Sequence, residues 1–451
     1  MQGSVAPTPH LRRIGGAIAI ASVVAILFAT LLPAPDQSLD SHLCLVCGTR
    51  GGVDAILNVL LFLPLGIGLA LSGVPWKRAI LTSCALSITL EATQFFFIPG
   101  RDATLGDVLT NTVGGAVGFA VANNSAIWLR TPPRIAAVLG MVWCGIWLAI
   151  QAISSFAFSP SIPDSKEYGQ IARKFENLEA FPGQVLDARL GAIAITDTEL
   201  RETDSVGHRV LGGGTLTVIV LSTKPTTGIA PIVRIADDQQ REILLLAQDE
   251  QQLLFAVRTG AAILRLRPPL FAMPHVFAGS IAETGSSSSQ PLRLTARYDG
   301  RESQLTARTP SMTRRRDIRV SAALGWTLVL PFQWYIEDTP MELAISLIWT
   351  ACLTVPIGYL GVCIARRTNT HWSPEGVALG LVAGAATLIA GLVVIPHVFG
   401  LPAASMRDWS AVVLGIVGGG ALAAYDGKRR RAEEIVDPVV VGAVSESGWL
   451  S

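Results

Sequence analysis

The sequence predicts a multi-pass α-helical membrane protein with an inserted all-β extracytoplasmic domain, and three observations carry that expectation. Half of the 451 residues are hydrophobic and only 15% are charged, with a mean hydropathy of +0.47, a composition typical of integral membrane proteins. The apolar residues gather in 1–155 and 320–427, while 156–319 has the balance of an ordinary water-exposed domain. Acids and amides interrupt three consecutive apolar runs near the front of the chain. Net charge is only +1, so no cationic excess points to nucleic acid.

Segments near the ~20 apolar residues needed for a crossing are 14–32, 53–71, 79–97, 105–122 and 135–153, then 341–365, 376–399 and 409–425. The first follows Leu11-Arg12-Arg13 without a small-residue cleavage site, so it reads as an uncleaved helix rather than a signal peptide. Short-loop cations set the orientation. Arg12/Arg13, Lys77/Arg78, Arg130/Arg134, Arg366/Arg367 and the run from Lys428 to Arg431 are expected inside. Five leading helices then deliver 156–319 to the extracytoplasmic side, and 428–451 forms a cytoplasmic tail. The run VSAALGWTLVLPFQWYI (320–336) is short, aromatic and broken by Pro331, so an interfacial or partly inserted helix is expected there, the alternative being a ninth crossing that would invert everything after it.

The polar interruptions fall in pairs. Asp54 and Asn58 are four residues apart, Glu91 and Gln94 three, Asp107 and Asn111 four, so each pair shares a helix face. A carboxylate at bilayer depth costs a few kcal/mol and is usually turned inward and paired. Arg101 and Asp102 lie in the turn between the second and third of these helices, where a guanidinium could pair with an acid or capture an anionic group. Two readings are open: one shared polar ligand site, or interhelical hydrogen bonding with Asp107 as a helix cap. If the site is catalytic, Glu91 and Asp107 are the candidate bases. Ser83 and Ser87 read as packing residues. The acid spacing supports no metal, and no cofactor is expected.

The ordered pattern D-x3-N-x5-PLG, E-x2-Q and RD-x4-D-x3-N-x2-GG-x2-G, carried by Asp54, Asn58, Pro64–Gly66, Glu91, Gln94, Arg101, Asp102, Asp107, Asn111, Gly114, Gly115 and Gly118, resembles the VanZ family of small multi-pass membrane proteins. The resemblance covers roughly 14–122. It implies a role in the bacterial cell envelope, the family's name coming from a protein linked to teicoplanin-type glycopeptide resistance, and it implies no particular reaction.

The end of the chain echoes this front part. Aligning LFLPLGIGLA with LTVPIGYLGV pairs Pro64 with Pro356 and Gly66 with Gly358. Aligning Asp107 with Asp408 pairs Gly114 with Gly415 and Gly118 with Gly419, whereas Asn111 meets Val412 and the Glu91/Gln94 region meets LIAGLVV. A chance likeness between Gly-rich membrane helices is the alternative.

Cys44 and Cys47, spaced CLVC in the first outward loop, are candidates for a local disulfide, with free thiols or half a metal site as alternatives. Cys84, Cys144, Cys352 and Cys363 fall in apolar helices as packing residues. In 156–319, runs such as GTLTVIVLST, APIVRIAD, REILLLAQ and LRLTARYDG alternate with turn formers, the pattern of an antiparallel sandwich. Their succession resembles a concanavalin-like or LamG-like jelly roll, which implies glycan binding. Asp204, Asp237, Asp238, Asp249 and Glu250 stand in its loops without calcium-loop spacing. The expected partners are the lipid bilayer, together with an envelope glycan, a lipid headgroup or a membrane protein. An intramembrane enzyme acting on a lipid-linked envelope precursor, with Arg101 as phosphate clamp, and a structural scaffold are the competing readings.

Overall fold

The computed structural model describes residues 8–31, 48–98, 104–125, 127, 131–175, 178–200, 206–221, 224–277, 290–367, 371–372 and 374–436. Among them, eight helices are long and apolar enough to cross a membrane. These are α1 (Pro9–Thr30), α2 (Gly51–Leu71), α3 (Trp76–Phe97), α4 (Leu105–Asn123), α5 (Pro133–Phe158), α6 (Pro340–Ala365), α7 (Pro374–Ile389) and α8 (Met406–Val436). α7 runs on through a π-helical turn, Ala390–Val394, so that its apolar crossing is Gly380–Val398. The chain divides into two compact units, one of 1–126 with 154–342 and one of 127–153 with 343–451.

In the first unit, α2 lies between α1 and α4. Gly15 of α1 rests on the α2 backbone at Gly68, Leu71 and Ser72, and Ile26, Phe62, Leu65 and Leu90 form the apolar centre. Large side chains such as Phe28, Leu81, Phe96 and Phe97 point out of the bundle, as lipid contact requires. Arg12, Arg13, Lys77 and Arg78 belong to the starts of α1 and α3, at the end of the bundle where α2 finishes. At the opposite end the first turn of α2 meets β residues: the Gly52 N–H donates to the Arg265 carbonyl at 3.1 Å.

The β part of this unit contains two six-stranded sheets. The first runs β1 (Glu167–Ile171), β5 (Ile229–Asp237), β6 (Glu242–Asp249), β7 (Gln252–Val257), β8 (Leu270–Met273) and β12 (Tyr335–Ile336). The second runs β11 (Thr313–Arg319), β10 (Glu302–Arg308), β9 (Leu292–Tyr298), β4 (Leu216–Leu221), β2 (Gln184–Leu190) and β3 (Ile193–Ala194). Neighbours pair antiparallel except β8 with β12. The second sheet alternates buried and exposed residues, so that one face is covered. Strands β6 and β7 are buried on both faces, hence their unbroken apolar sequence. Phe271 and Tyr298 join the sheets with ring centroids 5.1 Å apart, and the Tyr298 hydroxyl donates to the Phe158 carbonyl at 2.5 Å.

The 320–336 run differs from the interfacial or partly inserted helix expected there. It is a 3-10 turn, Ala322–Val329, followed by β12, which adds to the first sheet beside β8. Pro331 stops the turn, and the buried Arg267 guanidinium donates to the carbonyls of Leu330 and Pro331. Burial holds the pKa of Arg267 below its ordinary value. Trp326 packs edge-on against Trp334, whose indole N–H donates to Glu342 at 2.8 Å. Glu342 also accepts the Thr339 N–H, and Thr339 Oγ1 accepts the Glu342 N–H, a reciprocal cap that starts α6.

In the second unit Trp147, Leu392 and Val412 form the centre. The Trp143 indole donates to the Leu353 carbonyl at 2.8 Å, tying α5 to α6.

Candidate functional site

The polar residues of α2, α3 and α4 meet around the start of α4. Thr104 precedes that helix in extended conformation, and its Oγ1 accepts the Asp107 N–H at 3.1 Å. The Thr104 N–H donates to Glu91 Oε2 at 2.9 Å, joining α3 to the first turn of α4. Asn58 of α2 donates to Asp107 Oδ1 at 2.7 Å. One turn further along α4, Asn111 donates to Ser87 Oγ at 2.9 Å. Gln94 donates to the Thr30 carbonyl at 2.9 Å, closing α3 onto the end of α1. Glu91, Gln94, Thr104 and Asn111 are buried, and Ser83 and Ser87 fully so.

Five of the eight residues expected at the site, Asn58, Glu91, Gln94, Asp107 and Asn111, are thus hydrogen-bonded at helix junctions at one end of the bundle. Asp54 is exposed in the first turn of α2, one turn from Asn58. Arg101 and Asp102 lie outside the described residues, as do Cys44, Cys47 and Asp204. Of the four helical cysteines, Cys84, Cys144 and Cys363 are half-buried and Cys352 is exposed on its helix. Two participants escaped the sequence reading. Ser87 passed for packing although it stands one turn before Glu91, and Thr104 carried the signal of a Thr-x-x-Asp helix start.

Asn111 has an unusual valence. Its Oδ1 is buried without a hydrogen-bond partner among the described residues. Turning the amide over would satisfy the oxygen through Ser87 and orphan the nitrogen instead. Either way a buried polar atom faces the α3–α4 junction unsatisfied, a costly arrangement for a purely structural contact.

Glycine sets the helix spacing here. A methyl group on Gly114 would strike the Val59 carbonyl, one on Gly118 the Leu63 carbonyl and the Ile67 N–H, and one on Gly66 the Gly115 carbonyl. The second unit repeats these contacts at constant offsets in residue number. Gly415 meets the Ala351 carbonyl, Gly419 the Val355 carbonyl and the Tyr359 N–H, and Gly358 the Ile416 carbonyl. Even the helix start recurs: Ser405 Oγ accepts the Asp408 N–H at 3.3 Å, as Thr104 does for Asp107. Gly140 of α5 lies against Leu360, which stands in the place of Gly68. The contact of α6 with α8 therefore repeats that of α2 with α4 and forms a second copy of it, with the β residues preceding α6 in the chain.

The chemistry is not repeated. Val412 occupies the place of Asn111 and is packed among Leu388, Leu392 and Trp147, all of them apolar. Thr350 stands for Asn58. Asp408 folds its carboxylate back on the Ser405 N–H at 2.8 Å.

The fold and this junction define a polytopic membrane protein with an inserted two-sheet β part and one polar helix junction. Residues 16–128 match the VanZ/LLP1 family model, so the first four helices form a VanZ-like segment. No curated protein and no solved structure matches the chain.

Proposed function

We propose that this VanZ-like protein of the bacterial cell envelope holds the polar head of a membrane lipid or lipid-linked envelope molecule at the α3–α4 junction, with the β part outside the cytoplasm. One observation carries the site: the same helix packing occurs twice, and only the first copy keeps Ser87, Glu91 and Asn111. The second copy packs Val412 among apolar Leu388 and Leu392, so packing of this kind does not require polar groups, and their cost in the first copy supports a binding role. The cap formed by Thr104 and Asp107 recurs in both copies and belongs to the fold. If the site performs chemistry, Glu91 is accordingly a better candidate base than Asp107. The outward placement is supported by the cations at the opposite end of the bundle from the β part.

The resemblance of the front segment suggests a glycopeptide-related process, and teicoplanin susceptibility of the expressing host is the assay. The E91L/N111V variant makes the junction apolar, as it is around Val412. It should reach the membrane in normal amount, melt within a few degrees of wild type because loss of the Thr104 N–H acceptor is offset by removal of the orphaned amide, and abolish the susceptibility difference that the wild-type protein confers. A well-folded E91L/N111V protein with wild-type phenotype would overturn the proposed site.

A further inference from the structure

The β part carries an uncovered charged face of its own. On the second sheet, alternate residues of β9 and β10 point away from the core: Arg293, Thr295 and Arg297 on one, Gln304, Thr306 and Arg308 on the other. The register places Arg293 directly opposite Arg308, and Thr295 directly opposite Thr306. Like charges in opposed positions destabilise a sheet. Among the described residues neither Arg293 nor Arg308 has an ion pair or hydrogen-bond partner, and both are exposed. By contrast Arg189 and Arg315, at the margins of the same face, are paired with Asp187 and Asp317. The two threonine hydroxyls are likewise unpartnered among the described residues. The row continues through Thr217, opposite Thr295 on β4, with strands ~4.8 Å apart.

We infer that Arg293, Arg308, Thr295 and Thr306 form a binding face for an acidic polysaccharide, whose carboxylates sit between the two guanidinium groups while its hydroxyls follow the threonine row across the strands. Charge complementarity selects this occupant. The unrelieved repulsion of Arg293 and Arg308 is removed when an anion lies between them, and a guanidinium binds a planar carboxylate through two parallel hydrogen bonds. A row of hydroxyls on a flat sheet suits an extended polyol chain. The inference concerns the β part alone and does not depend on the intramembrane site.

The test uses the full chain in detergent micelles, alginate as the acidic probe and dextran as the neutral one. Wild-type protein should bind alginate, progressively less so with added salt, and ignore dextran. R308E places a carboxylate opposite Arg293. It should therefore weaken alginate binding at least tenfold while raising the melting temperature. T295V/T306V should bind several-fold more weakly with an unchanged melt. Wild-type protein that fails to bind alginate, or binds dextran equally, overturns the inference. So does R308E that binds alginate like wild type, or a face that binds phosphatidylglycerol vesicles in preference to alginate.

Discussion

Asn58 donates its side-chain amide to Asp107 across the α2–α4 contact at 2.7 Å, whereas Asp408, in the corresponding place of the second copy, turns its carboxylate back onto Ser405 at 2.9 Å. One aspartate thus links two helices and the other serves only its own. N58A should leave the cap of α4 intact but release this cross-link. The expected loss is about 1 kcal/mol, the usual size of a side-chain hydrogen bond between membrane helices. Thermal unfolding of the detergent-solubilised protein measures it, and D408N should be smaller in effect on any readout of the first copy.

Substituting Gly118 tests the spacing of α2 and α4. G118L drives a side chain into the Leu63 carbonyl and the Ile67 N–H, and rigid backbone cannot yield as a flexible side chain would. The variant should be lost from the membrane or purify as aggregate, judged by size-exclusion profile. Gly16, which has open space around it, should accept leucine with a normal profile.

The second copy predicts a different sensitivity. Trp147 is fully buried between α7 and α8, so W147A removes a large apolar side chain and leaves a cavity costing about 3–5 kcal/mol. Its melt should fall sharply. Deleting the orphaned amide in the first copy, by N111V, should by comparison cost little or stabilise.

Acid sensitivity of the β part should involve Asp237. Burial alone would raise its pKa, but the Arg241 side chain at 2.6 Å, the Arg241 N–H at 2.8 Å and the Gln239 N–H at 3.0 Å outweigh burial and hold it below the ordinary 3.8. A depressed carboxylate contributes stability above its unfolded value and loses it as pH falls through the folded one. Melts from pH 7 toward pH 3 should therefore show D237N less stable than wild type at neutrality. The difference should shrink as the pH drops below the ordinary carboxylate value.

Much of this architecture was legible in composition and period. The eight apolar segments became eight membrane-length helices, because hydropathy and length are nearly sufficient where water is absent. The β strands announced themselves through short apolar runs between turn formers. The likeness of the two ends of the chain lay in Pro64/Pro356 and Gly118/Gly419, and each of those glycines meets a backbone carbonyl, of Leu63 and Val355, where no side chain fits. Three things were hidden. The 320–336 run is apolar enough for a membrane surface, and only its pairing with β8 reveals a sheet edge. Ser87 and Thr104 have short side chains that serve packing, capping or a polar network equally well, so neighbours on other helices decide. The opposition of Arg293 and Arg308 depends on strand register, which alternation alone does not specify.

The carbonyl of Arg265 accepts the Gly52 N–H at 3.1 Å and shares the Val53 N–H, at 3.4 Å, with the nearer Arg50 carbonyl at 2.9 Å, and Gly52 has no room for a side chain there. Val53 and Asp54 thus find their acceptor at the helix's own start, whereas Gly52 takes its acceptor from more than two hundred residues downstream. The first turn of α2 is thereby fastened backbone to backbone to the β part, so excising the middle of the chain would leave the Gly52 N–H without this acceptor at that end of the bundle.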